Sequence, residues 1–325
     1  MAQLLFDDDV ATGLSPELAV DAARRALVDA YQGRLQAPPR LHAQLGDSEL
    51  VFTAGGYPAG TRGVRIYQTG LLASDQAVLV WDGEGHLAGC VVGLELGARR
   101  TGALGAVAAD ALARPEAGIV AVIGSGRQAW TQLWALTAVR AASEVRVHSP
   151  TEPHRAAFAG RARRELGLEA TSVPSARQAV AGAEIIVLAT RSVRPVIEAA
   201  WVSEGAHVTT VGPKTVSAHE TPVDLAARAR LVVSDSPSQA SAYEEAFFTE
   251  RALTHLGGIL CGELAGRTSD ADITLYASTG LAGSEVVLAA ALLDRPSRLA
   301  PGRNSPVGKA SSGCEGSADR PRASS

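Results

Sequence analysis

A pair of glycines, Gly124 and Gly126, follows an apolar segment near the middle of the chain. The segment, residues 118–123, is β-prone throughout, which is typical of a strand buried on both faces of a parallel sheet. The next segment, 128–136, has the composition of a helix, so the glycines lie in a strand–turn–helix context. Gly124 would permit the tight turn, Gly126 would let the backbone approach a pyrophosphate, and Ala129 would let the helix pack closely on the strand.

This glycine turn predicts dinucleotide binding, with an ordinary glycine-rich strand–helix turn as the alternative. The first amides of the helix would face the phosphates, and the helix dipole would add to the attraction. The residues expected at the cofactor are Gly124, Ser125, Gly126, Arg127 and Gln128.

The segments around the turn must position it. From residue 118 to about 235, strands alternate with helical segments, which indicates a doubly wound parallel sheet. The strands predicted for this sheet are 118–123, 144–148, 184–190, 206–211 and 230–235, and 272–278 is predicted as one more strand. Between residues 38 and 92, short β-prone runs separated by Gly, Pro and Asp predict a mostly antiparallel sheet. Helices are predicted at 15–33, 94–113, 152–166 and 284–294.

The composition limits the classes of function. The chain has 325 residues, 46% of them hydrophobic and 4% aromatic, with a net charge of −4. A sizeable core is therefore expected, and a nucleic-acid partner is not. Three scattered cysteines without a C-x-x-C pair argue against structural zinc and fit a reducing cytoplasm. No metal site, signal peptide or membrane partner is expected, and residues 296–325, rich in Pro, Gly, Ser and Arg, are predicted to be a disordered tail.

Several motifs between residues 15 and 294 occur together in one known family. They are Pro39-Arg40-Leu-His, Gly63-Val-Arg65, Arg100-Thr101-Gly-Ala, Gly124-Ser-Gly-Arg-Gln-Ala129, the loop 212–220, Asp235-Ser-Pro-Ser-Gln239 and Ser278-Thr279-Gly-Leu. On these residues the chain resembles the ornithine cyclodeaminase/mu-crystallin family. The combination is much more specific than the glycine turn alone.

The resemblance implies an α/β fold in which a Rossmann-type doubly wound parallel sheet is inserted into a mixed α+β domain. The expected substrate-binding and dimerisation domain is 1–114 plus 276–295, and the expected dinucleotide-binding domain is 115–275. The resemblance also implies a homodimer that binds a nicotinamide nucleotide and acts on a small α-amino or α-imino acid. Some members convert ornithine to proline and ammonia with the nicotinamide recycled, whereas others reduce imino acids or oxidise an amino acid such as alanine.

The resemblance also assigns a substrate site. Arg40 and Arg100 match positions that hold the substrate carboxylate, for which a planar guanidinium is suited; surface salt bridges are the alternative. Thr101 adjoins Arg100 in the same motif. Glu285 matches a family aspartate near the substrate, or is an acid favoured by the helix dipole. Arg65 replaces a usual lysine and, with a pKa above about 12, is no base, so it either anchors substrate or marks lost chemistry; we keep it among the catalytic and substrate-binding candidates.

Lys214 departs further from the family pattern. It lies in the loop 212–220, at the position where cyclodeaminases carry an essential aspartate that is thought to help remove the amine. A buried lysine among cations loses its proton closer to neutral pH, so Lys214 is a candidate acid or base; a solvated loop lysine is the alternative. His219 and Glu220 are further candidates for proton transfer.

Convergence of these basic residues would concentrate positive charge in one pocket. The four cations are Arg40, Arg65, Arg100 and Lys214. They repel one another unless anions arrive. We therefore hypothesise a substrate with two acidic groups, or an imino acid with an anionic arm.

The choice of nucleotide depends on the end of the second strand of the parallel sheet. An acid there would hold the ribose 2′-hydroxyl of NAD, but the strand ends without one. Ser149, Thr151 and Arg155 are instead suited to a 2′-phosphate, which favours NADP, with NAD as the alternative because Glu152 lies close by. The resemblance places Thr279-Gly280-Leu281 beside the nicotinamide.

Three functions are therefore consistent with the sequence. The first is an NAD(P)-dependent oxidoreductase that reduces an α-imino acid, such as a cyclic ketimine, or oxidises the matching amino acid. The second is ornithine cyclodeaminase, against which the missing aspartate at Lys214 argues. The third is a nucleotide-binding protein with little catalysis.

Overall fold

The computed structural model describes residues 2–69, 75–242, 245–248 and 253–294. Within these residues the chain forms two sheets and the helices packed on them. The strands are β1 (Gln3–Leu5), β2 (Leu41–Leu45), β3 (Ser48–Gly56), β4 (Arg62–Thr69), β5 (Gln76–Trp81), β6 (Leu87–Val92), β7 (Ile119–Ile123), β8 (Glu144–His148), β9 (Ala170–Ser172), β10 (Ile185–Leu188), β11 (His207–Thr210), β12 (Leu231–Ser234), β13 (Thr254–His255) and β14 (Thr274–Ala277). The helices are α1 (Asp7–Gly13), α2 (Pro16–Tyr31), α3 (Glu95–Leu112), α4 (Arg127–Leu136), α5 (Glu152–Leu166), α6 (Ala176–Val180), α7 (Val223–Arg228), α8 (Pro237–Ser241), α9 (Leu256–Leu260) and α10 (Ser284–Leu293).

The larger sheet has eight strands in the order β13-β12-β14-β11-β10-β7-β8-β9. All of its paired strands run parallel. The chain builds outward from β7 in one direction through β8 and β9, and then in the other direction through β10 and β11. This confirms the predicted α/β class with a doubly wound sheet. The reversal leaves a crevice beyond the carboxyl end of β7, which is where such folds bind ligands.

The smaller sheet has six strands in the order β1-β6-β5-β4-β3-β2. Its strands pair antiparallel, as predicted for residues 38–92, except that β1 runs parallel to β6. The sequence did not predict β1 or α1. A three-residue strand is too short for a periodic pattern to show, and β1 is held by distant pairing, with Gln3 opposite Gly89.

Small residues bring α10 close to the inner face of the six-stranded sheet. A Cβ on Gly55 would lie 2.3 Å from Gly283 Cα, and a Cβ on Gly63 would lie 2.9 Å from a methyl carbon of Val286. Larger residues at these positions would push the helix away from the sheet. Because Glu285 lies between the two helix contacts, this close packing holds its carboxylate near the sheet.

Helices α3 and α4 also pack closely together. A Cβ on Gly102 would lie 2.1 Å from Thr131 O, and Gln132 Nε2 donates a hydrogen bond to Thr101 O at 3.0 Å. Because α3 carries Arg100 and α4 begins at the glycine turn, their packing fixes the arginine relative to the turn.

The two sheets come from different parts of the chain, residues 3–92 and residues 119–277. The predicted domain division between 114 and 115 remains a prediction, and the predicted boundary between 275 and 276 lies inside β14, which ends at Ala277. The predicted disordered tail, 296–325, lies outside the described residues. In the part described, no helix is long and apolar enough to span a bilayer, and no group of three or more His, Cys, Asp or Glu side chains is arranged to hold a metal ion.

Strand β11 carries a fully buried histidine between two threonines. His207 Nδ1 lies 3.0 Å from Thr274 Oγ1, and its Nε2 lies 3.1 Å from Thr209 Oγ1. Burial, together with the charges of Arg267 and Arg140, lowers the pKa of His207 from 6.5 to about 3. The unfolded chain therefore binds a proton below pH 6.5 that the folded chain does not bind until about pH 3. Stability is expected to fall as the pH falls through this window.

When the pH falls from about 6.5 to 5, His207→Gln is expected to lose about 2 kcal/mol less of its free energy of unfolding than the wild type loses. Urea unfolding of both proteins at the two pH values measures this difference. The control is His86→Gln, because the side chain of His86 is 75% exposed. The same loss of stability in the wild type and in His207→Gln would contradict the assignment.

Candidate functional site

The glycine turn has the geometry that the sequence predicts. Gly124 follows β7 with a φ of +122°, and a Cβ on it would lie 2.3 Å from Ala189 O. Its amide donates to His148 O at 2.8 Å, which fixes the turn to the end of β8. Gly126 is the residue before α4, and a Cβ on it would meet no atom within 4 Å. The helix N-terminus therefore opens onto free space, which fits a phosphate group.

A cleft of about 370 Å³ lies between this turn and the carboxyl ends of the neighbouring strands. The described residues that line it are Arg100, Thr101, Gln128, Val211, Gly212, Pro213, Lys214, Thr215, Ser278, Thr279 and Gly280. The cleft thus brings together residues from α3, from the start of α4, from the loop after β11 and from the turn after β14. Gln128 Oε1 is buried in the described structure without a hydrogen-bond partner, so it is an acceptor that a ligand can satisfy.

The turn after β14 is held by a buried aspartate, Asp235. One carboxylate oxygen accepts from the Thr279 amide and hydroxyl, both at 2.8 Å. The other accepts from the amides of Gly280 at 2.8 Å and Leu281 at 3.2 Å. These bonds fix the three residues that were predicted to lie beside the nicotinamide. The sequence analysis quoted Asp235 in a motif but assigned it no role.

A second buried carboxylate holds the loop after β11. Glu220 Oε1 accepts from Thr210 Oγ1 at 2.9 Å and from the amides of Val211 and Gly212 at 3.0 and 2.5 Å. Its Oε2 accepts from the amide and hydroxyl of Thr190, both at 2.8 Å. With this many partners, Glu220 is suited to positioning the loop rather than to the proton transfer considered for it.

Lys214 is half-buried at the wall of the cleft. Its Nζ donates to Val211 O at 2.9 Å and to Gly212 O at 2.5 Å. Burial lowers the pKa of Lys214 to about 8, while Glu220 and Asp235 oppose that shift. The amine therefore lies in the cleft with a pKa suited to giving up or taking a proton near neutral pH.

Glu285 connects two of the predicted arginines. Its Oε1 accepts from Arg65 Nη1 at 2.9 Å and also from Arg100 Nη2. Burial by itself raises the pKa of Glu285, but Arg100 and Arg65 outweigh it, so the pKa lies below its ordinary value. Arg65 is also bonded through Nε to Gln76 Oε1 at 3.0 Å and stacks 4.1 Å from the ring centre of Tyr67. Arg65 is therefore bonded to other side chains of the protein. Burial lowers the pKa of its guanidinium.

Arg40 and Arg100 converge on the turn after β14. Arg40 Nη2 donates to Thr279 O at 3.1 Å and to Gly280 O at 3.2 Å. A Cβ on Gly280, where φ is +86°, would lie 2.8 Å from Arg100 Nη1 and 3.2 Å from Arg40 Nη2. The Nε atoms of both arginines are buried without a hydrogen-bond partner in the described structure. The two guanidiniums therefore meet at one place with donors left for an anion.

Two other predicted site residues are placed differently. Thr101 lines the cleft, but its hydroxyl donates to Gly97 O within α3 at 3.0 Å. His219, a catalytic candidate, is not among the described residues that line the cleft. Its Nδ1 lies 3.2 Å from Thr215 O, and its ring stacks on Phe247 at 4.6 Å between ring centres. His219 is therefore bonded to Thr215, a residue that lines the cleft, and its catalytic role remains a prediction.

The predicted 2′-phosphate residues cluster at the end of β8. Ser125 Oγ donates to Ser149 Oγ at 3.0 Å, and Arg155 Nη1 donates to Ser149 O at 3.1 Å. Two further predicted residues are exposed: Thr151, directly before α5, and Arg127, the first residue of α4. The structure thus joins the glycine turn to the strand end through Ser125 and Ser149.

The chain is similar to known proteins of one family. The model of the ornithine cyclodeaminase/mu-crystallin family matches residues 4–298. The chain is similar to a Delta(1)-pyrroline-2-carboxylate reductase of Bacillus cereus, at 35% identity over 205 residues, 60% of this chain and 63% of that protein. It therefore spans about three fifths of the length of the curated relatives it matches.

Two solved structures are similar over most of their length. One is Thermococcus litoralis Delta(1)-pyrroline-2-carboxylate reductase in complex with NADH and L-proline, with 26% identity, a TM-score of 0.80, and coverage of 90% of this chain and 96% of that chain. The other is an archaeal alanine dehydrogenase dimer with bound NAD, with 26% identity, a TM-score of 0.81, and coverage of 90% and 95%. By its glycine turn, its cleft and the family match, this chain belongs to the ornithine cyclodeaminase/mu-crystallin family.

Proposed function

We propose that the chain is a nicotinamide-dependent reductase of α-imino acids, or equally a dehydrogenase of the matching α-amino acids. Gly124, Gly126 and the start of α4 would hold the pyrophosphate, and Gln128 and the turn 279–281 would adjoin the nicotinamide. When bound, that cofactor supplies or accepts a hydride at the α-carbon. The similar reductase and dehydrogenase, bound to NADH and NAD in their structures, support this proposal.

The observation that carries the reaction type is the presence of Lys214, rather than a carboxylate, in the cleft with Arg100. Arg100 and Arg40 clamp the substrate carboxylate through donors that the protein leaves free. The ammonium of Lys214 gives a proton to the imine nitrogen, so that this nitrogen becomes an amine while the α-carbon is reduced. In the oxidative direction the neutral lysine takes that proton back.

The cyclodeaminase alternative is less consistent with the cleft. None of its described lining residues is an aspartate or a glutamate, whereas the family's cyclodeaminases use an aspartate where this chain has Lys214. Ornithine would also bring a second ammonium group beside Arg100 and Lys214, which repel it. A nucleotide-binding protein with little catalysis is the remaining alternative.

For the cofactor we propose NADP over NAD. Residues 149–151 place hydroxyl groups at the end of β8 without an acid, and Arg155 is fixed there by its bond to Ser149 O. A guanidinium and hydroxyls suit a 2′-phosphate, which an acid would repel. Glu152, at the start of α5, is the feature that would instead favour NAD.

We also propose a homodimer formed through the outer face of the six-stranded sheet. Leu4, Leu41, Leu45 and Leu87 on this sheet are 40–69% exposed, and Leu41 lies opposite Phe52 across β2 and β3. Leu4 and Leu87 lie at one edge of the sheet and Leu41 and Leu45 at the other. Exposed apolar residues favour an interaction surface, and the archaeal alanine dehydrogenase is a dimer. Sedimentation as a monomer at micromolar concentration would overturn this proposal. The cytoplasmic location expected from the cysteines remains a prediction.

Two assays test the reaction. With NADPH and pyrroline-2-carboxylate, or pyruvate with ammonia, absorbance at the reduced-cofactor band is expected to fall, and to fall faster than with NADH. With ornithine and NAD, no ammonia is expected. Ammonia release from ornithine would support the cyclodeaminase instead. Cofactor binding without turnover in either assay would support the binding protein.

A further inference from the structure

The charged side chains that line the cleft, together with those bonded to them or to the lining turns, determine how many acidic groups of a substrate the site can neutralise. Arg100 and Lys214 line the cleft, Arg40 is bonded to the lining residue Gly280, and Arg65 is bonded to Glu285, the partner of Arg100. The three carboxylates bonded to these side chains or to the loops that carry them are Glu285, Asp235 and Glu220. Four positive and three negative charges leave one positive charge among these described residues. The expectation of four uncompensated cations is therefore wrong, because it counted the cations without their partners.

Glu285 is the carboxylate closest to the clamp. It is 2% exposed and bonds both Arg65 and Arg100 through one oxygen. Asp235 and Glu220, by contrast, bond to backbone amides and hydroxyls of the loops. Glu285 Oε1 therefore accepts a hydrogen bond from Nη2 of Arg100. The Nε of the same guanidinium has no hydrogen-bond partner in the described structure. Arg100 is therefore already bonded to one carboxylate of the protein before a substrate carboxylate binds.

We infer that Glu285 is a built-in counter-anion that selects α-imino acids with one carboxylate and an uncharged arm. With one carboxylate bound, the charges of the site cancel. A second carboxylate would leave an excess negative charge in a partly buried cleft, which is costly in a medium of low polarity. This replaces the two-acid substrate expected from the sequence, and it rests on the proposed reductase function.

A pair of substrates of equal length isolates this effect. The imines formed from 2-oxopentanoate and 2-oxoglutarate with ammonia differ in a terminal methyl group against a terminal carboxylate. Wild type is expected to favour the uncharged substrate in kcat/KM by at least about tenfold. Glu285→Gln is expected to shift that ratio about tenfold or more toward the dicarboxylic substrate, because it adds one positive charge to the site.

Two further variants separate charge from structure. Glu17→Gln makes the same change of charge at an exposed residue of α2 and is expected to leave the ratio unchanged. Arg65→Met/Glu285→Gln removes one charge of each sign, so its ratio is expected to return toward that of the wild type. A double variant that keeps the ratio of Glu285→Gln would overturn the charge argument, as would a single variant that lowers both substrates equally.

Binding without turnover distinguishes this inference from the proposed function. Thermal shifts of the NADPH-loaded protein with 2-oxopentanoate and 2-oxoglutarate, in the absence of ammonia, need no amination, and these ligands carry one and two negative charges without an ammonium group. 2-Oxopentanoate is expected to stabilise the wild type at lower concentration, and Glu285→Gln is expected to narrow that difference. Tighter binding of 2-oxoglutarate by the wild type overturns the inference, whatever the activity assays show. If Glu285→Gln does not fold, Arg65→Met, which removes a positive charge, is expected to strengthen the preference for 2-oxopentanoate.

Discussion

Replacing Arg100 with methionine is expected to lower kcat/KM for the imino acid by roughly 100- to 1000-fold. The guanidinium is buried, is oriented by Glu285 and keeps donors free for the substrate carboxylate. Truncating one partner of a buried, hydrogen-bonded charge pair costs about 2–5 kcal/mol, which is roughly 30- to 5000-fold, and the expected loss lies in the middle of that range. Steady-state kinetics measure it, and cofactor affinity from fluorescence titration is expected to change little.

The neighbouring arginine supplies a matched control. Arg99 is equally buried on α3, but it bonds to Glu95 and Leu14 O and packs on Trp134. Arg99→Met is expected to lower stability without a comparable fall in kcat/KM. Full retention of kcat/KM by Arg100→Met, or an equal loss in both variants, would contradict the assignment of the clamp.

Replacing Lys214 with methionine is expected to lower kcat for imine reduction by about 100-fold or more, because general acid catalysis contributes about that much. In the wild type, reduction is expected to decline as the pH rises through about 8, the pKa of Lys214, since the donor loses its proton. Oxidation of the amino acid is expected to rise through the same pH, since it needs the neutral amine. Rates across pH 6–10 in both directions check these signs.

Arginine at this position provides the control for charge. Lys214→Arg keeps a positive group whose pKa lies well above that of lysine. It is expected to bind substrate comparably but to transfer protons poorly, without the decline near pH 8. If Lys214→Met keeps the wild-type pH profile, another group donates the proton, and Lys214 only stabilises the loop after β11.

The strands of four or more residues, the five longest helices and the glycine turn could be predicted because short stretches of sequence specify them. The apolar run before Gly124 and the helix after Gly126 indicate a strand–turn–helix within a few residues. Asp235 could not be assigned in this way, because its partners lie 44–46 residues further along the chain. Glu220 likewise reaches back 30 residues to Thr190. Motif resemblance marked both segments, but only the fold shows what the carboxylates hold.

The arginines illustrate a second limit of the sequence. Resemblance identified Arg40 and Arg100, and the structure places both at the turn after β14. The resemblance also named Arg65 as a site residue. Its bonds to Glu285 and Gln76 depend on the packing of α10 against the sheet. Side-chain pairing across distant elements has no periodic pattern, so the charge of the site could not be predicted from residue types alone.

The transfer of deuterium tests the central claim most directly. The protein would be incubated with pyrroline-2-carboxylate and reduced cofactor that carries deuterium at both C4 positions, and the product analysed by mass spectrometry and NMR. We predict proline that carries one deuterium at the α-carbon for each cofactor oxidised. Unlabelled product, or no product from imino acids while ornithine releases ammonia, would contradict the account.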